Sequence, residues 1–473
     1  MAATGPISSE FDRLQDANWL STAYTLGLCA AQPMYGKLSD IYGRKPLLLA
    51  SYFFLAFGCV ICGVASLMSV MILGRVISGI GGAGVMAMSS IIITDIVPKR
   101  EVATWRAYVN ISMTLGRSIG GPLGGWLTDT IGWRWLFLLQ APMMAIAALL
   151  VIFLLQLTRP RITPLSGDNS SSIRRVDFLG TALLATSIVG ITLLFDRGGQ
   201  AFPWISLSAL ALASIALVTL ATFVYVETYV ALEPIFDLRI LRRPNVVSSY
   251  LIGSLQICAQ IGMMFTVPLY FQVTESASAT VAGAHLIPAV IGNTIGGLMA
   301  GAFIRRTGQY KPVVVMAGFV ASIAYVLLYL RWNGHTGFWE SLYIFPGGMG
   351  TAFASAAAFV TMTSFLEPEE VAMATGGYIL LFSFALTAGV TAANTVLGLE
   401  FKRQMELKLS GPGAQKIIQR AMSDTQYIAG LKGHVRQIVV GSYIAGLKHT
   451  YIISFACSIL ASIIGLAVRN HRL

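Results

Sequence analysis

Arg75 and Arg117 stand inside otherwise apolar stretches, Met71-Ile-Leu-Gly-Arg75-Val-Ile-Ser-Gly79-Ile-Gly81 and Gly116-Arg117-Ser-Ile-Gly120-Gly121-Pro122-Leu-Gly124-Gly125. A charge at the middle of a membrane span costs at least about 2.5–3.5 kcal/mol on insertion scales, so such residues read as functional. Carboxylates are scarcer: Asp40, Asp95, Asp196, Glu227 and Glu400 all fall at the edges of apolar stretches. Proton coupling needs a group whose charge changes with access, and Asp40, Asp95 and His285 are the best titratable candidates. Asp95 also reads as a solvated loop charge beside Lys99 and Arg100. His285 also reads as a packed polar residue near the outer end of its span. Tyr24, Asn110, Gln256, Gln260, Asn293, Tyr378 and Asn394 are uncharged polar residues within apolar stretches. Each suits a helix–helix hydrogen bond, and as a set they could line a central cavity. Enzyme chemistry reads poorly: there is no Ser/His/Asp set, G-x-x-x-x-G-K-[ST] or H-E-x-x-H. Without a phosphate-binding loop, ATP drive is not expected either. Cys59 and Cys62 form a C-x-x-C among apolar residues, with no second pair or His pair nearby, and read as helix packing. No cofactor or metal is expected.

The elements that must position these residues follow from composition. The chain has 473 residues, 55% apolar and only 11% charged, with a mean hydropathy of +0.72. A soluble chain is roughly 25% charged, and a soluble core stops growing near about 250–300 residues. Disorder needs low hydrophobicity and high charge. The class left is an all-α polytopic membrane protein. Thirteen apolar segments are expected to span, at about 17–36, 47–67, 70–93, 105–127, 134–157, 178–196, 204–226, 246–270, 282–304, 313–330, 338–360, 373–398 and 447–468. Backbone groups cannot stay unpaired in lipid, so these are helices.

The net charge of +11 reads as loop lysine and arginine rather than a nucleic-acid site. One set of alternate loops, with the C-terminal tail, holds eighteen basic residues, Lys37, Arg44 and Lys45 among them; the other set holds four, Arg13, Arg134, Arg197 and Arg331. The basic side is expected in the cytoplasm. Segment 399–446 is too polar to span and is expected to form short amphipathic helices, near 413–422 and 425–440, on the outer face. Segment 158–177 reads as a flexible cytoplasmic linker. The division expected is residues 1–157, then 158–245 with two inserted spans, then 246–473.

Gly36-Lys-Leu-Ser-Asp40-Ile-Tyr-Gly43-Arg44-Lys45 joins the first two spans, and a related block with Gly301, Arg305, Arg306, Gly308 and Lys311 recurs 265 residues later. Such internal symmetry is typical of transporter halves. The first block resembles motif A of the major facilitator superfamily. The stretch around Arg75 and Gly79 resembles motif B. Gly116 to Gly125, with Arg117, resembles motif C of its antiporter branches, where Gly and Pro suit bending and close contact. Together they look like the fourteen-span drug:proton antiporter family, similar to fungal multidrug exporters and vacuolar basic amino acid permeases. That resemblance implies a monomeric transporter in the vacuolar or plasma membrane that exchanges protons for small organic molecules by rocking two halves around a central site. It also places the seven polar residues on spans around that site. The chain departs from the family at its start, where Pro6 and Ile7 look like the tail of a first-span motif whose span and aspartate are missing. That departure leaves two readings open: an incomplete product or short isoform, which would be expected to show little proton-driven uptake, and a natural thirteen-span transporter. The alternative from another class is a non-transporting nutrient sensor.

Overall fold

The computed structural model describes residues 7, 10–11, 19–156, 177–198, 202–230, 238–334, 336–409, 414–423 and 425–469. Every expected span contains a helix over most of its described residues; the one expected at 282–304 is interrupted at His285 and Leu286, between the short helix Ala279–Ala284 and the helix that begins at Ile287. In chain order the helices are α1 Trp19–Tyr42, α2 Arg44–Val64, α3 Met68–Ile96, α4 Lys99–Ile131, α5 Arg134–Leu154, α6 Phe178–Arg197 and α7 Leu207–Tyr229. There follow α8 Pro244–Thr274, α9 Ile287–Thr307, α10 Lys311–Arg331, α11 Phe345–Ser364, α12 Pro368–Lys408, α13 Ala414–Ser423 and α14 Gly433–Ala467. No strand occurs among the described residues; one isolated bridge joins Gly198 and Phe202.

Local chemistry sets the ends. Asp177 caps α6 by accepting the Gly180 N–H at 2.8 Å, and Ser206 caps α7 through the Ala209 N–H; both satisfy orphan helix donors. Pro312 opens α10, where its missing N–H costs nothing. Among the described residues, ten helices are long and apolar enough to cross a membrane. The other three expected spans are α1, α4 and α6. Lys37 and Asp40 lower the apolarity of α1, and Lys99, Arg100, Glu101 and Arg106 lower that of α4. In α6 the apolar stretch Leu179–Phe195 is short, but about 17 residues suffice to span. On α5, Phe153 and Leu154 are each 73% exposed and no residue is buried, as a lipid-facing helix requires.

The helices gather into two compact units. Unit 1 comprises Met1–Pro98, Gly116–Val246 and Phe365–Phe384; unit 2 comprises Lys99–Leu115, Val247–Ser364 and Ala385–Leu473. The helices α6 and α7, expected as an inserted pair, belong to unit 1, and α4 and α12 each contribute to both units.

Segment 399–446 differs from expectation. α12 runs on to Lys408 and α14 already begins at Gly433, so only α13 and the short helix Thr425–Gly430 stand apart. The expected helix over 425–440 breaks because Gly433 adopts a positive φ of 65°. The buried apolar residues Ile418, Ala421 and Ile428 pack against Phe401, Met405 and Tyr443 in the core of unit 2. The apolar stripe read as surface-seeking is therefore covered by protein.

Candidate functional site in the helical units

In unit 1 the motif A block ties three helices together. Gly43 has φ +90°, a backbone state that side chains resist, and turns the chain between α1 and α2. Gly36 lies against α12: a Cβ there would sit 2.9 Å from the Ala372 carbonyl oxygen. Arg44 follows with its side chain only 6% exposed. It donates to Asp40, to Ser39 Oγ at 3.1 Å and to Asp95 Oδ2 at 2.9 Å. Asp95, in the last turn of α3, remains exposed to solvent while it pairs with this buried guanidinium. Lys45 donates to the carbonyls of Ile152 and Leu155 at 2.8 and 3.0 Å, where the C-terminal end of α5 favours a cation.

Arg75 lies on α3 in unit 1, half-buried. Its Nε donates to the Leu20 carbonyl at 2.8 Å, and its guanidinium lies 4.5 Å from the Tyr24 ring centroid and 5.8 Å from that of Phe137. These contacts use the planar, delocalised face that lysine lacks. One turn on, a Cβ at Gly79 would meet the Tyr24 carbonyl oxygen at 2.3 Å, so glycine there lets α1 and α3 cross closely.

The motif C stretch lies on α4, which runs helical from Lys99 through Ile131. A Cβ at Gly116, Gly120 or Gly125 would meet no described atom within 4 Å, so the close contact expected of this stretch is not formed by these three. The side chains of Arg117 and Pro122 lie outside the described residues, as does the burial of Gly121; Gly124 accepts a hydrogen bond from Thr128 at 2.7 Å.

Unit 2 holds five of the seven polar residues. Asn110 Nδ2 donates to Asn293 Oδ1 at 2.8 Å, joining α4 to α9, and Gln256 Nε2 donates to Thr351 Oγ1 at 3.4 Å, joining α8 to α11. Gln260 is buried on α8 and Asn394 half-buried on α12. Tyr24 and Tyr378 belong to unit 1. His285 stacks flat on Phe271, with centroids 3.5 Å apart, and its Nδ1 lies 2.8 Å from Ser341 Oγ. It is therefore a packed residue at the start of its span. The five cysteines are free, and Cys59 and Cys62 fill helix contacts beside Gln140 and Met71.

Three contacts escaped sequence reading. Arg243 grips Glu370 through two bonds of 2.7 Å and also donates to the Phe365 carbonyl. Arg106 lies 3.9 Å from the Phe359 ring centroid. Glu10 accepts from Trp133 Nε1 at 2.5 Å and from Arg134 at 2.6 Å, and these two donors hold its carboxyl below its usual range. The basic residue ahead of α8 and the Glu367-Pro-Glu-Glu370 start of α12 are weak signals for the first; nothing local marks the others.

The model of the Major Facilitator Superfamily matches residues 1–390. Over 473 residues, covering 99% of this chain and 80% of the relative, the chain is 31% identical to the "Vacuolar membrane amino acid uptake transporter fnx2" of Schizosaccharomyces pombe. It is 32% identical, over 95% of this chain and 86% of the relative, to the "Multidrug resistance protein fnx1" of the same species. Among solved structures, the proton:xylose symporter XylE bound to a bromodeoxyglucose aligns with a TM-score of 0.57 at 13% identity, covering 99% of this chain and 91% of that one. The human organic anion transporter MFSD10 aligns with a TM-score of 0.56 at 15% identity, covering 93% and 83%. These two share the fold. The helical architecture, the motif A turn and the matches across the chain converge: this protein is a multi-pass membrane transporter, not an enzyme, and it belongs to the major facilitator superfamily.

Proposed function

We propose that the chain exchanges protons for small, often cationic, organic molecules by alternating access, working as a single chain. The first substrate class is basic amino acids, carried into a vacuole. The observation that carries this reading is Arg44, buried between Asp40 and Asp95 where α1, α2 and α3 meet. Protonating either carboxylate removes an ion pair that ties two helices, so proton binding and helix movement share one free energy. The relative named for vacuolar amino acid uptake supports the substrate class. The relative named for multidrug resistance favours a second reading, export of xenobiotics across the plasma membrane. The loop charges support a cytoplasmic motif A end.

The test compares vacuolar and plasma-membrane vesicles from cells expressing the full chain. Lysine accumulation in acid-filled vacuolar vesicles, cut at least about tenfold by Asp40→Asn at equal protein level, is expected for an essential proton site. Cationic dye transport in plasma-membrane vesicles alone would favour the second reading. No transport of either with the protein present would contradict both.

A further inference from the structure

Outside the motif regions, unit 2 carries a groove on its lateral surface between α10 and α14. The two helices run antiparallel. At one end the Tyr310 hydroxyl donates to the Arg469 carbonyl at 3.1 Å; at the other Lys448 Nζ donates to Asn333 Oδ1 at 2.6 Å. Between these ties lie the 21 residues of α10, about 31 Å of helix, which matches a hydrocarbon core of about 30 Å. Lys448 therefore sits at the level of the bilayer surface. Directly inward, a groove of about 140 Å³ opens between the helices. Tyr325 and Tyr451, each 1% exposed, form its floor, and Val326, Leu330, Ile452 and Phe455, 37–59% exposed, form its walls. Tyr329 stands at the rim, its ring centroid 5.5 Å from Lys448 Nζ.

We propose that this groove holds one acyl chain of an anionic phospholipid whose phosphate rests on Lys448. Charge complementarity selects that occupant. Lys448 makes no ion pair with a described carboxylate, and Glu340, whose backbone carbonyl accepts from Trp332 next to Asn333 in sequence, is already paired with Arg331 at 3.3 Å. The ammonium is held over the mouth of the groove by the Asn333 oxygen and the Tyr329 ring rather than left to wander. From Lys448 to Phe455 the groove descends about 10 Å along α14, the depth of an upper acyl chain. A zwitterionic headgroup would bring its own cation against the lysine. The inference is independent of which substrate is carried.

The experiment is native mass spectrometry of the purified full chain equilibrated with dioleoyl phosphatidylglycerol or dioleoyl phosphatidylcholine. The wild type should retain one phosphatidylglycerol under activation that strips phosphatidylcholine. Lys448→Gln should lower that retention about fivefold, the worth of one basic residue at a membrane surface. Ile452→Trp, which fills the groove from a lipid-facing position, should abolish it with the melting temperature unchanged. Equal retention of both lipids by the wild type, or unchanged phosphatidylglycerol retention in Lys448→Gln, would overturn the proposal. So would a dimer lost on Ile452→Trp, which would assign the groove to a second copy.

Discussion

Arg44 is costly to leave alone. Its side chain is 6% exposed while those of Asp40 and Asp95 are about one-third exposed, so the guanidinium is the least solvated of the three charges. Removing both partners strands it, and breaking a buried pair costs about 3–5 kcal/mol. Asp40→Asn with Asp95→Asn should therefore lower the melting temperature far more than either alone; additive, small effects would refute the cluster. Glycines at the motifs divide by surroundings. Gly79→Ala should lower the melting temperature, because its Cβ would press on the Tyr24 carbonyl at 2.3 Å. Gly116→Ala meets open space and should stabilise by up to about 1 kcal/mol through helix propensity. The reverse ranking would contradict the packing described. Glu10, held below its ordinary range by Trp133 and Arg134, contributes stability above its unfolded pKa and loses it as pH falls through the folded one. The melting difference between wild type and Glu10→Gln should hold from pH 7 to about 5 and shrink only below about 4. Its disappearance near pH 6 would show that the clamp is weak.

At the scale of elements, apolar length marked every span, because backbone in lipid must be helical and helices must cross about 30 Å. Gly43 was legible because a tight turn narrows the choice of residue. The partner of Arg75 was not: it is a backbone carbonyl 55 residues away, which any residue can offer. The Arg243–Glu370 grip joins positions 127 apart, beyond any periodicity. The ends of α12 and α14 were misjudged because polar residues outside a bilayer continue a helix as readily as they end it. Their overhang and the covered face of α13 place the described residues of 399–446 in a helical cap on unit 2. The loop charges predict that this cap and Gln309 lie on opposite sides of the membrane. In a cysteine-free background, Gln309→Cys should react with an impermeant maleimide from the cytoplasmic face and Leu407→Cys from the other; both positions are exposed. The opposite order would invert the topology.

For the whole molecule, one glycine block lies in each unit, a repeat of the kind transporter halves show. Gly301 lies against α4, where a Cβ would meet Thr104 Cα at 2.8 Å, and Gly308 turns at φ +67°, as Gly36 and Gly43 do in unit 1. The central claim is that a proton gradient drives solute movement through this fold. It is tested most directly by the full chain in proteoliposomes with an imposed pH gradient, measuring lysine uptake with and without a protonophore. The account predicts uptake into the acid lumen that collapses with the protonophore and with Asp40→Asn. Uptake indifferent to the gradient would contradict it.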